Sequence, residues 1–529
     1  MTTQITAQDL RQWLYDGAEL ALLDVRELGQ IAEGHILFSA PLPYSRFEIG
    51  LPALVPNQHV RMVLCDSGDG VAERAAERAH ALGYVNTHVL SGGVASWAAA
   101  GHTLFEGVNV PSKAFGELIE LAEHTPRLTA EQVAQMQTDR ADMVIVDGRP
   151  MAEYRKMNIP GASCCPNGEL ALRIGRVAPD PSTTIVVNCA GRTRSIIGAE
   201  TLRGVGIPNP VYALENGTQG WTLAGLALGT GAEHAMPMPS DDLSSAHRHA
   251  EALAARHGVA GIDAASVATM LSDDTRTTYL LDVRTAEELA DDDAAFQDAR
   301  ERLAIAHAPG GQLVQATDQW IGVRNARVIV LDTEGLRAKV AASWLRRLGH
   351  EAMTVEGGLS AVSALDMQRQ LPQARAPGLP RISPSSLAGK LGTSEAPQII
   401  DLRSSSAYRE GHIPGAVWST RARVVRDAAP GPKVLVAEHD HISAFAARDL
   451  QEAGHTALSI LASGMSRWAE AGHPVETSAD APADADRIDF IFHTHGRHDG
   501  DREASLAYLE WEVGLVDQLD EQERAVFRI

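Results

Sequence analysis

The feature that most constrains this chain is self-similarity. One pattern of apolar runs, turns and glycines is written four times along 529 residues, and internal repetition of this kind decides the architecture before any single residue does. An apolar run closing on Asp-x-Arg appears as Leu22-Leu23-Asp24-Val25-Arg26, Ile145-Val146-Asp147-Gly148-Arg149, Leu280-Leu281-Asp282-Val283-Arg284 and Ile399-Ile400-Asp401-Leu402-Arg403. Each reads as a buried parallel strand leaving its sheet. In three copies a Gly-His-Ile-like turn follows, and Asp24 to His35, Asp147 to Asn158 and Asp401 to His412 are all 11 residues apart. The third copy carries an acidic insertion, Asp291-Asp292-Asp293 through Arg302, before His307-Ala308-Pro309-Gly310.

A second apolar strand then ends in a column that differs among the copies, read as Cys65, Cys189, Asp332 and Glu438. The helix after it stops at a glycine suited to a left-handed cap, Gly83, Gly206, Gly349 and Gly454, at offsets of 18, 17, 17 and 16 residues. A turn and a last helix close each copy: Gly92-Gly93 with Trp97, Asn216-Gly217 with Trp221, Gly357-Gly358 with Val362, and Ser463-Gly464 with Trp468. Strand, crossover helix and strand predict an α/β fold of doubly wound parallel sheets, whose sites lie beyond the carboxyl ends of the strands. The linkers Pro111 to His124, Gly229 to Ser240, Leu371 to Arg381 and Thr477 to Asp486 divide the chain into repeats at 1–105, 127–230, 259–370 and 382–475, with a tail at 487–529. An even number of copies further suggests that copy one walls the cleft of copy two.

Composition removes several function classes. A formal net charge of −22 repels polyanions and disfavours nucleic acid or an anionic membrane as a partner. Four cysteines (Cys65, Cys164, Cys165, Cys189) with no C-x-x-C pair are neither a disulfide scaffold nor a zinc site, and they imply a reducing compartment. The amino-terminal segment has no basic and apolar leader pattern, and no apolar run reaches membrane-spanning length, so a cytoplasmic protein is expected.

The most specific local segment is Cys189-Ala190-Gly191-Arg192-Thr193-Arg194-Ser195, running from a strand end into a helix. Amide N–H groups at the positive end of a helix dipole, beside two guanidinium groups, should favour thiolate, and thiolate is the nucleophile. Gly191 lets the loop curl, and Ser195 can cap the helix or donate a hydrogen bond. The Asp-x-Arg strand, the Gly-His-Ile-Pro-Gly-Ala turn complete at Gly411 to Ala416, and the Gly-Gly-x-x-x-Trp helix start together make the repeated unit resemble the rhodanese (thiosulfate sulfurtransferase) domain. The resemblance implies four tandem rhodanese-like domains and a helical tail, a persulfide carried on Cys189, and an anionic substrate held by Ala190, Gly191, Arg192, Thr193, Arg194 and Ser195. It implies no cofactor, because the sulfur rides on cysteine. Relatives that hydrolyse phosphate esters place arginine after five intervening residues, whereas Cys189 to Arg194 has four, so the cradle is expected to be too narrow for phosphate.

Cys65 is a possible secondary site, weakened by a loop with Asp66, Asp69 and no arginine. Copies three and four, with Asp332 and Glu438, are expected to be structural or regulatory. Cys164 and Cys165 read as core residues, with a resolving thiol as the alternative. The Asp-x-Arg pairs read as loop fixers, and Trp97, Trp221 and Trp468 as packing residues. In the tail, His493-Thr494-His495-Gly496-Arg497-His498-Asp499 is similar to a metallo-hydrolase motif but has Arg497 where that pattern wants Asp, and no metal site is expected. Leu506, Leu509, Val513 and Val516 predict a helix that docks on a repeat or on a second copy, leaving a homodimer open. The expected function is a sulfurtransferase moving sulfane sulfur from thiosulfate or a similar donor to a thiol or cyanide. The alternative is a relay or scaffold protein receiving persulfide from a partner protein.

Overall fold

The computed structural model describes residues 3–239, 243–497 and 499–529. The four repeats fold into four sheets, and in each one the repeat's five strands run parallel in the order first, fifth, fourth, second, third. The central pair is always formed by the two apolar runs: Leu20–Asp24 beside Arg61–Cys65, Met143–Asp147 beside Thr184–Asn188, Thr278–Asp282 beside Arg327–Leu331, and Gln398–Asp401 beside Lys433–Val436. Helices cover both faces, so alternate residues of one strand enter different cores. In the second repeat Ile185 and Val187 pack on one side and Val186 on the other, which is why the strands read as continuous apolar runs.

Strand register corrects the variable column. Asp24 lies opposite Cys65, Asp147 opposite Asn188, Asp282 opposite Leu331 and Asp401 opposite Val436. Cys65 is therefore the last strand residue, equivalent to Asn188. The positions equivalent to Cys189 are Asp66, Asp332 and Ala437, not Cys65, Asp332 and Glu438. The helix-ending glycines then fall at one offset, 17 residues, from Asp66 to Gly83, Cys189 to Gly206, Asp332 to Gly349 and Ala437 to Gly454. A one-residue slip turns a side chain to the opposite face: Cys65 packs in the core with Leu22, Val63 and Trp97, and its thiol donates to the Leu23 carbonyl at 3.5 Å.

The Asp-x-Arg pairs hold the turn that follows them. Arg26, Arg149 and Arg403 each grip their aspartate bidentately and donate onward to the carbonyls of Gly34, Met157 and Gly411, at 2.8, 2.6 and 2.7 Å. In the third repeat the insertion supplies a carboxylate instead, and Arg284 donates to Asp292 at 2.9 Å. The tryptophans tie off the last helix, with Trp97, Trp221 and Trp468 donating to the carbonyls of Thr103, Ala227 and Pro474.

The repeats are not strung as separate beads. A short strand of the third repeat, Val323–Arg324, adds antiparallel to Leu20–Ala21 of the first, and Tyr279 donates to the Leu54 carbonyl at 2.6 Å. The third repeat also packs on the second, where Arg337 meets Glu169 at 2.9 Å and Trp344 donates to Thr201 at 2.9 Å. The fourth sits on the first through buried Arg421, paired with Glu48 and Asp449. The expected pairing of copies one and two is thus replaced: copy three lies against copy two.

The tail helix Arg502–Gln518 packs along the connector helix Val110–Glu123 of the same chain. Its buried face is Ser505, Tyr508, Leu509, Glu512, Leu515 and Val516, while Leu506 and Val513 are about half exposed, at 49% and 51%. Of the histidine-rich segment, His498 lies outside the described residues; His493 stacks edge-on against Trp511 and His495 against Phe490. Among the described residues no group of three His, Cys, Asp or Glu side chains could hold a metal ion, and no helix is long and apolar enough to cross a membrane.

Candidate active site

The buried strand Thr184–Asn188 ends on Asn188, whose amide donates to Asp147 at 3.0 Å and anchors the strand end to the Asp-x-Arg clasp. Cys189 is the next residue, 2% exposed, and the chain turns through Ala190, Gly191 and Arg192 into the helix Thr193–Gly204. The loop carbonyls face backward: those of Cys189 and Ala190 accept from the N–H groups of Thr218 and Gln219 at 2.8 and 3.1 Å. Gly217 makes this close approach possible. It has a left-handed φ of 55°, and a side chain there would collide with the Cys189 carbonyl. With the carbonyls held behind, the loop N–H groups are left for the cavity side, the arrangement that cradles an anion.

That cavity has a volume of about 260 Å³ and is built by four parts of the chain. The second repeat supplies Cys189 through Arg194, the connector supplies Asn109 and Lys113, the third repeat Gln315 and Trp320, and the tail Arg497, Tyr508 and Glu512. Sequence reasoning found the loop and missed the other walls. The tail's signal was a glutamate on the buried face of its helix. The third repeat's share comes from packing between units and leaves no local trace.

The two loop arginines are both engaged. Arg192 donates to Glu117 at 2.8 and 2.7 Å, to Asn216 at 3.3 Å and to Glu120, binding the loop to the connector. Arg194 donates to Glu153 at 2.7 and 2.8 Å. Both guanidinium groups expected to hold the substrate are thus paired with carboxylates of the chain itself. Thr193 donates to Glu512 at 2.6 Å. The Ser195 hydroxyl is fully buried and makes no regular hydrogen bond; it lies beside Cys189 and favours its thiolate. Burial pushes the Cys189 thiol up, with Arg194 and Ser195 pulling it back. The expected net preference for thiolate is thus reversed by desolvation.

Other candidate sites separate cleanly from this one. The Cys164 thiol donates to the Arg149 carbonyl at 3.3 Å and burial pushes it up to about 12; Cys165 lies in the core beside Leu170 and Val187. In the first and third repeats the equivalent loop is filled by its own carboxylate. Asp66 accepts from Gly68 and Ala72 at 2.8 and 3.0 Å, and Asp332 accepts from Gly335 and Ala338 at 2.7 and 2.9 Å. The same amide cradle exists there with an aspartate inside it.

The rhodanese-like domain model matches residues 6–100, 129–224 and 383–471. A crystal structure of thiosulfate sulfurtransferase from Pseudomonas aeruginosa is 41% identical over 100% of this chain and 99% of that one, with a TM-score of 0.91. The chain belongs to the rhodanese family. The third repeat of this rhodanese is not matched by the domain model, although its sheet has the same strand order as the others. Single-domain structures also match. One from an Anabaena sp. protein is 27% identical over 18% of this chain and 83% of that one, with a TM-score of 0.18. One from Rhodopseudomonas palustris, described as a possible tyrosine phosphatase, is 29% identical over 22% and 93%, with a TM-score of 0.20. In a sequence comparison no curated protein matches the chain.

Proposed function

We propose that this rhodanese is a sulfurtransferase in which the Cys189 thiolate attacks the outer sulfur of thiosulfate or a similar sulfane donor. The sulfur–sulfur bond of the donor breaks with its electron pair leaving on sulfite, and Cys189 keeps the transferred sulfur as a persulfide. A thiolate or cyanide then attacks that outer sulfur and carries it away, and Cys189 returns to thiolate. The loop amides stabilise the donor's charge and the departing anion, while Arg194 and Ser195 favour the thiolate. The observation that carries the reading is Cys189 just past the end of its strand in a loop that leads into a helix, on a chain alike over its whole length to a thiosulfate sulfurtransferase.

The reading assigns catalysis to the unit at 127–230. The units at 1–105, 259–370 and 382–475 serve as structural partners, and the tail at 487–529 docks within the same chain. A cavity of about 260 Å³ suits a small donor and a small acceptor. Thiocyanate formation from thiosulfate and cyanide tests it: wild type turns over, Cys189→Ala does not, and turnover by Cys189→Ala refutes the assignment.

A further inference from the structure

Two cations in the wall of the Cys189 cavity differ from the loop arginines in how they are held. Arg192 is taken up by Glu117 and Glu120, and Arg194 by Glu153. Lys113 from the connector and Arg497 from the tail line the same cavity, and among the described residues neither forms an ion pair within 4 Å. Aromatic rings hold them instead. The Lys113 ammonium stands 4.5 Å from the centre of the Trp511 ring and 5.3 Å from that of Tyr508, and the Arg497 guanidinium stands 4.6 Å from the same Tyr508 ring. A ring attracts a cation through its quadrupole and leaves the full positive charge in place, whereas a carboxylate neutralises it.

Both groups also have hydrogen-bonding capacity left over. Lys113 is 5% exposed, and its Nζ, which can give three hydrogen bonds, gives one, to the Val108 carbonyl at 2.7 Å. Burial lowers its pKa to about 8, against the opposing pull of Glu512, as expected of an ammonium short of a counter-ion. Arg497 gives Nη1 to Thr494, and its Nε is buried without a partner. Unmade hydrogen bonds on a buried cation are costly, and an anion in the cavity satisfies them. Resting on the reading of Cys189 as the sulfur acceptor, we propose that Lys113 and Arg497 bind the anionic oxygens of the sulfane donor while the Cys189 loop receives its outer sulfur. In the transfer the Cys189 thiolate forms a bond to the outer sulfur of thiosulfate. The donor's sulfur–sulfur bond breaks with its electron pair leaving on sulfite, whose oxygens the two cations hold, and Cys189 carries the persulfide; charge and atoms balance with no further reactant. The nucleophile and its anion-binding groups thus come from three separate stretches of the chain.

The test compares two reactions of the same thiolate on the full chain. One is sulfur loading of Cys189 from thiosulfate, read by intact mass as a second-order rate; the other is alkylation of Cys189 by iodoacetamide, which carries no charge. Their ratio cancels changes in the thiolate fraction, so it reports on recognition of the anion. Lys113→Met keeps an apolar stem against Trp511 and removes the charge, Lys113→Arg keeps the charge, and Arg497→Gln removes that of the tail. Lys113→Met and Arg497→Gln are each expected to lower the ratio by roughly ten- to a hundredfold, and Lys113→Arg to lower it far less than Lys113→Met. Arg497 is only half-buried, so Arg497→Gln keeps the inference open to refutation should Lys113→Met fail to fold. A ratio unchanged by either charge-removing variant, with wild type loading sulfur on Cys189, overturns the inference and leaves the sulfurtransferase reading standing. A fall as large in Lys113→Arg as in Lys113→Met assigns the effect to packing and overturns it as well. Absence of sulfur on Cys189 in wild type overturns that reading itself.

Discussion

Thr193 donates a 2.6 Å hydrogen bond to Glu512, joining the first helical residue after the Cys189 loop to a helix 319 residues further along the chain. The tail is thus part of the wall around the nucleophile, and its hold on the connector should control access to Cys189. Leu515 is fully buried in the cluster that contains Phe115 and Ile119. Leu515→Ala is expected to cost about 2–5 kcal/mol in tail docking. Alkylation of Cys189 by iodoacetamide should become faster, while the thermal transition of the remaining chain is largely kept. An unchanged alkylation rate would show that the tail does not cover the site.

The two loop arginines should fail in different ways. Arg192 is 8% exposed, and its removal strands the buried Glu117. Arg192→Ala should therefore destabilise the protein by about 3–5 kcal/mol, visible as an earlier denaturant midpoint. Arg194 pairs with Glu153, which is 40% exposed and can be rehydrated. Its loss acts on Cys189 instead.

Burial pushes the Cys189 thiol up and Arg194 opposes it. The reactive thiolate is accordingly formed as pH rises, and the alkylation rate of wild type should climb through the alkaline side of neutrality. Arg194→Gln removes the opposing charge, so the inflection should move to still higher pH, and the rate at neutral pH should fall about tenfold for each unit of displacement. An inflection that stays in place or moves down contradicts this assignment.

Repetition made the fold legible, because each unit restates the same strand, turn and helix pattern and tertiary context merely confirms it. The cysteine column was harder. Cys65 and Cys189 are both cysteines at the end of an apolar run, and the shared chemistry drew the two into one column. The uneven glycine offsets of the first and fourth copies were the visible sign of the slip, and the uniform 17-residue spacing from Asp66, Cys189, Asp332 and Ala437 resolves it. The loop itself was readable because Cys-Ala-Gly-Arg-Thr-Arg-Ser is contiguous. Lys113, Gln315 and Glu512 were not, since they reach the cavity only when the connector, the third repeat and the tail are packed together.

The corrected register has its own consequence. Cys65 is a core residue donating to the Leu23 carbonyl, and burial pushes its thiol well up. Cys65→Ala is expected to leave sulfur transfer unchanged and to cost about 1–2 kcal/mol of stability through the small cavity it opens. A drop in turnover without a matching loss of stability would restore Cys65 to the chemistry.

The most direct measurement is peptide-level mass spectrometry of the protein after one equivalent of sulfane donor, with wild type, Cys65→Ala and Cys189→Ala compared. The account predicts one added sulfur on the peptide containing Cys189 in wild type and in Cys65→Ala, and none in Cys189→Ala. Added sulfur on the Cys65 or Cys164–Cys165 peptide in Cys189→Ala, or none on Cys189 in wild type, would contradict it.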